Sequence, residues 1–210
     1  MKALDRFKEN KSFIVNIYIA LNYFIFVVAS LYYSFTEETL DYNIIAYTLH
    51  SAILIYFIVI RKPHKHFDMS FLHQCIALAG FYSGIIFIWQ PETGGATEEL
   101  ISNIIIFAAN ILGAVTIFNL GRSFGIMIAV REIKTGGLYS LVRHPMYSTD
   151  LLLRIGFMVN HFNVATGILI FISIGFNFYR AILEEKYLSE QEEYRMYMQK
   201  VKYRFIPYVI

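Results

Sequence analysis

The sequence predicts an all-α integral membrane protein of one domain, and two observations carry that prediction. The 210 residues are 57% hydrophobic and only 16% charged, with a mean hydropathy of +0.49, a balance too apolar for a soluble domain of this length. Lysine and arginine, moreover, are confined to particular segments between long apolar runs. Four windows reach the roughly 20 residues a helix needs to cross the hydrocarbon core: Phe13–Phe35, Tyr42–Ile60, Met69–Trp89 and Ile101–Leu120. The basic start runs into the first window without a small-residue cleavage site, so that span is expected to stay attached.

The segments between the windows set the expected topology. "TEETLD" and "QPETGGATEEL" are acidic, whereas "RKPHKHFD" is basic. Four Lys/Arg precede the first window, three lie between the second and third, four run from Arg122 to Arg143 and six from Arg180 to Arg204. Only Arg154 remains outside these groups. Basic loops mark the cytoplasmic side, so both termini are expected there, in a membrane of the bacterial inner-membrane type. A single crossing between Asp150 and Tyr179 would put the six C-terminal cations outside. That segment should therefore form a hairpin turning at "NHFN", Asn160–Asn163, with two short arms, giving five to six membrane helices. Residues 1–120 then hold the first four spans, and residues 121–210 hold the hairpin and most of the polar chemistry.

Within Gly121–Tyr147, "GRSFGIMIAVREIKTGGLYSLVRHPMY", glycines at 121, 125, 136 and 137 allow turns and close backbone approach. Pro145 biases His144 away from helix and suits the first helical position, which places the imidazole at a helix start. In "RAILEEKYLSEQEEYRMYMQKVKYRFIP", Arg180 and Glu184 share one helical face and Glu185 is turned by about 100°. Tyr194, Tyr197, Val201 and Arg204 form a 3-4-3 stripe, expected as one helix running toward Pro207 and lying, aromatic side down, against the membrane surface or over the preceding loop. Arg154 follows Asp150 by four residues, the order that favours an ion pair, although an intramembrane cation is also a candidate substrate contact. His50 is expected to be packed and hydrogen-bonded, and Cys75, the lone cysteine, to be a packing residue. "HKHFD" is a weak metal pattern, and no metal site or nucleic-acid contact is expected.

"GRSFGI", "TGGLYSLVRHPMY" and "RAILEEKYLSEQEEYRMYMQKVKYRFIP" together resemble the C-terminal signature of the isoprenylcysteine carboxyl methyltransferase and phospholipid methyltransferase superfamily, over about the last 95 residues. The resemblance implies S-adenosylmethionine bound from the cytoplasm and a lipophilic or lipid-linked acceptor arriving from the bilayer. It implies that Arg143, His144, Pro145 and Tyr147 build the cofactor pocket, with backbone near Gly137 and Leu138. Glu184 and Glu185 would hold its ammonium and ribose side, and Tyr194 and Tyr197 would cover it. His144 and Glu185 are the candidate bases, and Arg154 a candidate acceptor contact. A membrane sterol-type reductase using NADPH ends in a similar RHPxY motif, and a non-catalytic lipid-binding or partner-binding module is the third reading.

Overall fold

The computed structural model describes residues 2–36, 42–62, 64, 66–68, 70–83 and 92–209, with side chains from residue 14 onward except at 15 and 66. Seven α-helices occur among them: α1 (Lys2–Thr36), α2 (Tyr42–Ile60), α3 (Phe71–Tyr82), α4 (Ala96–Leu120), α5 (Pro145–Asn160), α6 (Val164–Leu188) and α7 (Glu192–Lys200). Two short strands, β1 (His66–Phe67) and β2 (Ala129–Val130), pair antiparallel. Four helical stretches are long and apolar enough to cross a membrane, namely 16–36, 42–60, 96–123 and 164–188. The expected third window contains α3, while Met69 and the stretch 84–89 lie outside the described residues.

Two expectations about the C-terminal half are corrected. The second arm of the hairpin does not end at Tyr179, because α6 continues to Leu188, 25 residues in all, and spans roughly 37 Å at 1.5 Å per residue. Its charges can extend the helix because they are satisfied: Arg180 Nε bonds Glu184 Oε1 at 3.1 Å, and Nη2 bonds the Ile126 carbonyl at 2.6 Å. The stripe from Tyr194 to Arg204 is not one helix either, since α7 ends at Lys200 and Val201 is extended. The carbonyls of Val201 and Lys202 turn instead to Arg143 Nη1, at 2.9 and 2.6 Å. These tertiary bonds replace the ones a longer helix would have made.

Polarity is arranged as lipid requires. Phe24, Tyr32, Phe118 and Phe171 face outward, at least 56% exposed, whereas Asn16, Ser51, Ser102, Asn110, Thr116 and Asn177 are buried between helices. Apolar tails gain nothing by leaving lipid, so close packing and interhelical hydrogen bonds hold the bundle together. α4 packs against both α2 and α5. Gly113 of α4 leaves room for His50, whose Nδ1 lies 3.1 Å from Asn110 Oδ1. Gly156 of α5 sits so close to α4 that a Cβ there would come within 2.9 Å of Ile106. Its carbonyl accepts from Ser102 Oγ at 2.8 Å.

α5 stops at Asn160, and Asn163 caps α6 by accepting from the Thr166 N–H at 2.9 Å. At the opposite end, where α2, α4 and α6 finish and α3 and α5 begin, the connectors lock together. The Lys62 N–H bonds the Arg122 carbonyl at 2.7 Å and the Asp68 N–H bonds that of Ile128 at 3.2 Å. Gln74 donates to the carbonyls of Asp68 and Ile128 and accepts from the Ile128 N–H. These bonds fix residues 121–131 as a wall over the ends of the helices. Asp68 Oδ2 lies 2.6 Å from His73 Nδ1, so this carboxylate is engaged with the first turn of α3.

Candidate active site

Pro145 is the first residue of α5, and His144 stands just before it with a non-helical backbone (φ −126°, ψ 60°). The C-terminal tail then runs alongside: the Arg143 and His144 N–H groups bond the carbonyls of Tyr203 and Arg204 at 2.9 and 2.8 Å. The proline places the imidazole at the helix start, as the sequence predicts, and the tail fixes it.

Glu185 lies at the centre of this junction. Its Oε1 accepts from Arg143 Nε at 2.7 Å and lies 3.1 Å from His144 Nε2, while Oε2 accepts from Arg204 Nε at 2.9 Å. The carboxylate is 5% exposed with both oxygens engaged. Charge-assisted bonds of this kind are the strong ones, and here they tie α6, the start of α5 and the tail into one unit.

Glu184, one residue earlier and turned to a neighbouring face, has a different surrounding. Oε1 accepts from Tyr147 Oη at 2.6 Å and from Arg180 Nε, while Oε2 lies 4.0 Å from His144 Nδ1. The Arg180 guanidinium also lies over the Tyr147 ring, 5.3 Å from its centroid, a cation–π contact. Tyr194 and Tyr197 pack together with Val201 over this region. Tyr197 Oη donates to the Tyr139 carbonyl at 2.6 Å. Burial raises the hydroxyl pKa of both Tyr139 and Tyr194, so both remain neutral donors near neutrality.

A cavity of about 120 Å³ opens between these elements and the 121–134 connector. Of the residues expected to bind the cofactor, Arg143, His144, Tyr147, Glu184, Tyr194 and Tyr197 line it. Gly137, Leu138, Pro145 and Glu185 stand outside that lining: Gly137 makes the turn into the 3-10 segment with φ +61°, and Pro145 and Glu185 set the position of His144. Arg154 lies elsewhere. It is 2% exposed and bonds Asp150 Oδ2, which also accepts from Asn177 Nδ2 at 2.6 Å. It faces a second cavity of about 170 Å³ whose other lining residues include Leu151, Ile174, Phe178, Phe205 and Ile206. Tyr147 lines both cavities.

Sequence reasoning missed Arg131, Ser123 and Tyr139, which line the first cavity. Arg131 is 6% exposed, yet its neighbour Glu132 in "VREIK" pairs at the surface with Lys134 of the same stretch and with Lys62. Nothing in that local charge pattern separates a buried arginine from a solvated one. Arg131 Nε, Ser123 Oγ and Tyr194 Oη are buried without a hydrogen-bond partner among the described residues. Native structures rarely leave such groups unpaired, and these three border the same cavity.

No curated protein matches the chain. The phospholipid methyltransferase family model matches residues 99–194, from the first turn of α4 into α7.

Proposed function

We propose that the protein is an S-adenosylmethionine-dependent methyltransferase that modifies a lipophilic or lipid-linked acceptor at the cytoplasmic face of the membrane. The observation that carries this reading is the polar cavity set beside an apolar one, with Tyr147 between them, most of their lining falling within the residues the family model matches. The cytoplasmic assignment rests on the basic connectors gathered at this end of the bundle.

The donor set fits the cofactor. An amino-acid tail needs an anion for its ammonium, and Glu184 Oε2 faces the cavity side of His144 while Oε1 is held by Tyr147 and Arg180. Adenine needs apolar or aromatic walls, which Tyr139, Tyr194 and Tyr197 provide. When bound, S-adenosylmethionine supplies an electrophilic methyl group. The chain then has to position the acceptor and exclude water, which accounts for most of the catalysis in such a displacement. Tyr147, held by its hydroxyl to Glu184, is the shared wall across which the acceptor meets the polar cavity.

Glu185, a pure acceptor when ionised, draws the proton of His144 onto Nε2, which leaves Nδ1 as the free acceptor toward the cavity. In this state His144 can take a proton from an amine acceptor, with Glu185 holding the imidazole. An acceptor that is already anionic needs no such step. Glu185 is thus a positioning residue in this scheme, and Arg154 contributes to the acceptor cavity through its pairing with Asp150.

Calorimetric titration of the detergent-purified protein with S-adenosylmethionine and S-adenosylhomocysteine, with NADPH as control, tests the reading. Both sulfur nucleosides should bind, and Glu184→Gln should weaken them about tenfold, the worth of one charged hydrogen bond. A folded protein that binds neither would overturn the proposal, and NADPH binding in their place would identify a reductase.

A further inference from the structure

Arg131 follows β2 in the wall of the polar cavity, and nothing in the reading above uses its charge. Its Nε is buried without a partner among the described residues. The nearby carboxylates are paired elsewhere: Glu132 with Lys62 and Lys134, Glu184 with Arg180, and Glu185 with Arg143 and Arg204. Burying a guanidinium without an anion is costly. Burial accordingly holds its pKa down to about 10, with the charge of Glu184 opposing that shift. Burial, and the charge of Arg131 beside it, likewise push the Arg61 pKa down to about 9. The backbone makes room for the group as well, because a Cβ on Gly125 would overlap the Arg131 guanidinium.

The same cavity therefore carries a cation without a paired anion and, on its other side, a carboxylate with one oxygen turned toward His144. Ser123 Oγ and Tyr194 Oη, also buried and unpartnered, line the same space. This is the complement of a zwitterion.

We propose that Arg131 is the receptor for the anionic end of a zwitterionic ligand whose ammonium Glu184 takes. Resting on the methyltransferase reading, it assigns that anion to the carboxylate of the cofactor's amino-acid tail. The phosphate of an aminoethyl-phosphate lipid headgroup has the same chemistry and is the other source.

Three probes separate these cases by calorimetry on the full-length protein in detergent: S-adenosylhomocysteine, its decarboxylated analogue, and glycerophosphoethanolamine. Arg131→Gln should weaken S-adenosylhomocysteine about 10- to 100-fold, the range for a charged hydrogen-bonding pair. It should leave the decarboxylated analogue unchanged, which also shows the site to be folded. Arg131→Lys should recover part of the loss, because the charge returns without the planar fork. Gly125→Ala, which displaces the guanidinium without removing it, should imitate Arg131→Gln. Unaltered S-adenosylhomocysteine affinity with loss of glycerophosphoethanolamine binding would keep the receptor and assign it to the headgroup. Equal weakening of all three probes, or of none, would overturn the proposal. If the wild type bound neither nucleoside, the methyltransferase reading would fail, and the glycerophosphoethanolamine titration alone would decide Arg131: loss in Arg131→Gln supports it, and no binding or no change overturns it.

Discussion

Two of the places where the chain buries arginine against carboxylate differ in kind, one in the middle of α5 and one where α5 begins and α6 ends. In α5, Asp150 and Arg154 pair across one helical turn, and Asn177 of α6 completes the set. Near the ends of α5 and α6, Glu185 instead gathers Arg143, His144 and Arg204, residues separated by 19 to 42 positions in sequence. The first arrangement neutralises a charge where the chain crosses an apolar region, and removing it should disturb little beyond that crossing. The second joins a helix start, a helix end and a tail, so the shape of the polar cavity depends on it.

Substituting the anion in each place separates the two roles. Glu185→Ala should have the largest effect, because it leaves Arg143 buried beside two other groups without their acceptor; breaking a buried pair from one side costs about 3–5 kcal/mol. Thermal unfolding in detergent should show the loss, and S-adenosylhomocysteine binding should disappear with it. If affinity survived in the folded variant, the coupling between this cluster and the cavity would be wrong.

Asp150→Ala should be milder in both respects. Arg154 loses its carboxylate but keeps the Gly80 carbonyl 3.5 Å from Nη2, so a cost of about 2–3 kcal/mol is expected. Nucleoside affinity should stay within about twofold, well under the tenfold worth of one charged bond. Replacing both residues, as Asp150→Ala with Arg154→Met, should restore much of the stability, and a double-mutant cycle measures the coupling. A large drop in nucleoside affinity in the single variant would show that the hairpin pair is not a separate unit.

The smallest contrast concerns the two tyrosines of α7. Tyr197→Phe removes the donor to the Tyr139 carbonyl and should lower stability by about 1 kcal/mol. Tyr194→Phe removes a hydroxyl with no partner among the described residues, so stability should hold or rise while nucleoside affinity falls. Equal losses in unfolding temperature would mean that the Tyr194 hydroxyl has a structural role.

Much of α5 and the start of α6 could be read from local spacing. Asp150 and Arg154 are four apart, "NHFN" separates two apolar arms, and Pro145 follows His144, so each feature follows from the geometry of a few consecutive residues. The length of α6 could not, because Arg180, Glu184 and Glu185 look like the polar end of a span until their partners are known. Neither could the end of α7, since the stripe from Tyr194 to Arg204 has helical spacing and only the bonds from Arg143 pull the chain out of helix.

The candidate site divides along the same line. The sequence by itself determined that the chain is apolar and multi-helical and that its histidine, paired carboxylates and tyrosines fall in two short polar stretches, because composition and periodicity act over short distances along the chain. The tertiary structure alone decided which of Glu184 and Glu185 faces the cavity, and that Arg131, placed among surface charges in sequence, is buried without an anion. Those outcomes depend on which groups from distant segments reach a carboxylate first. A buried charge is stabilised by whatever partner lies within about 3 Å, and the order of residues along a chain does not state that distance.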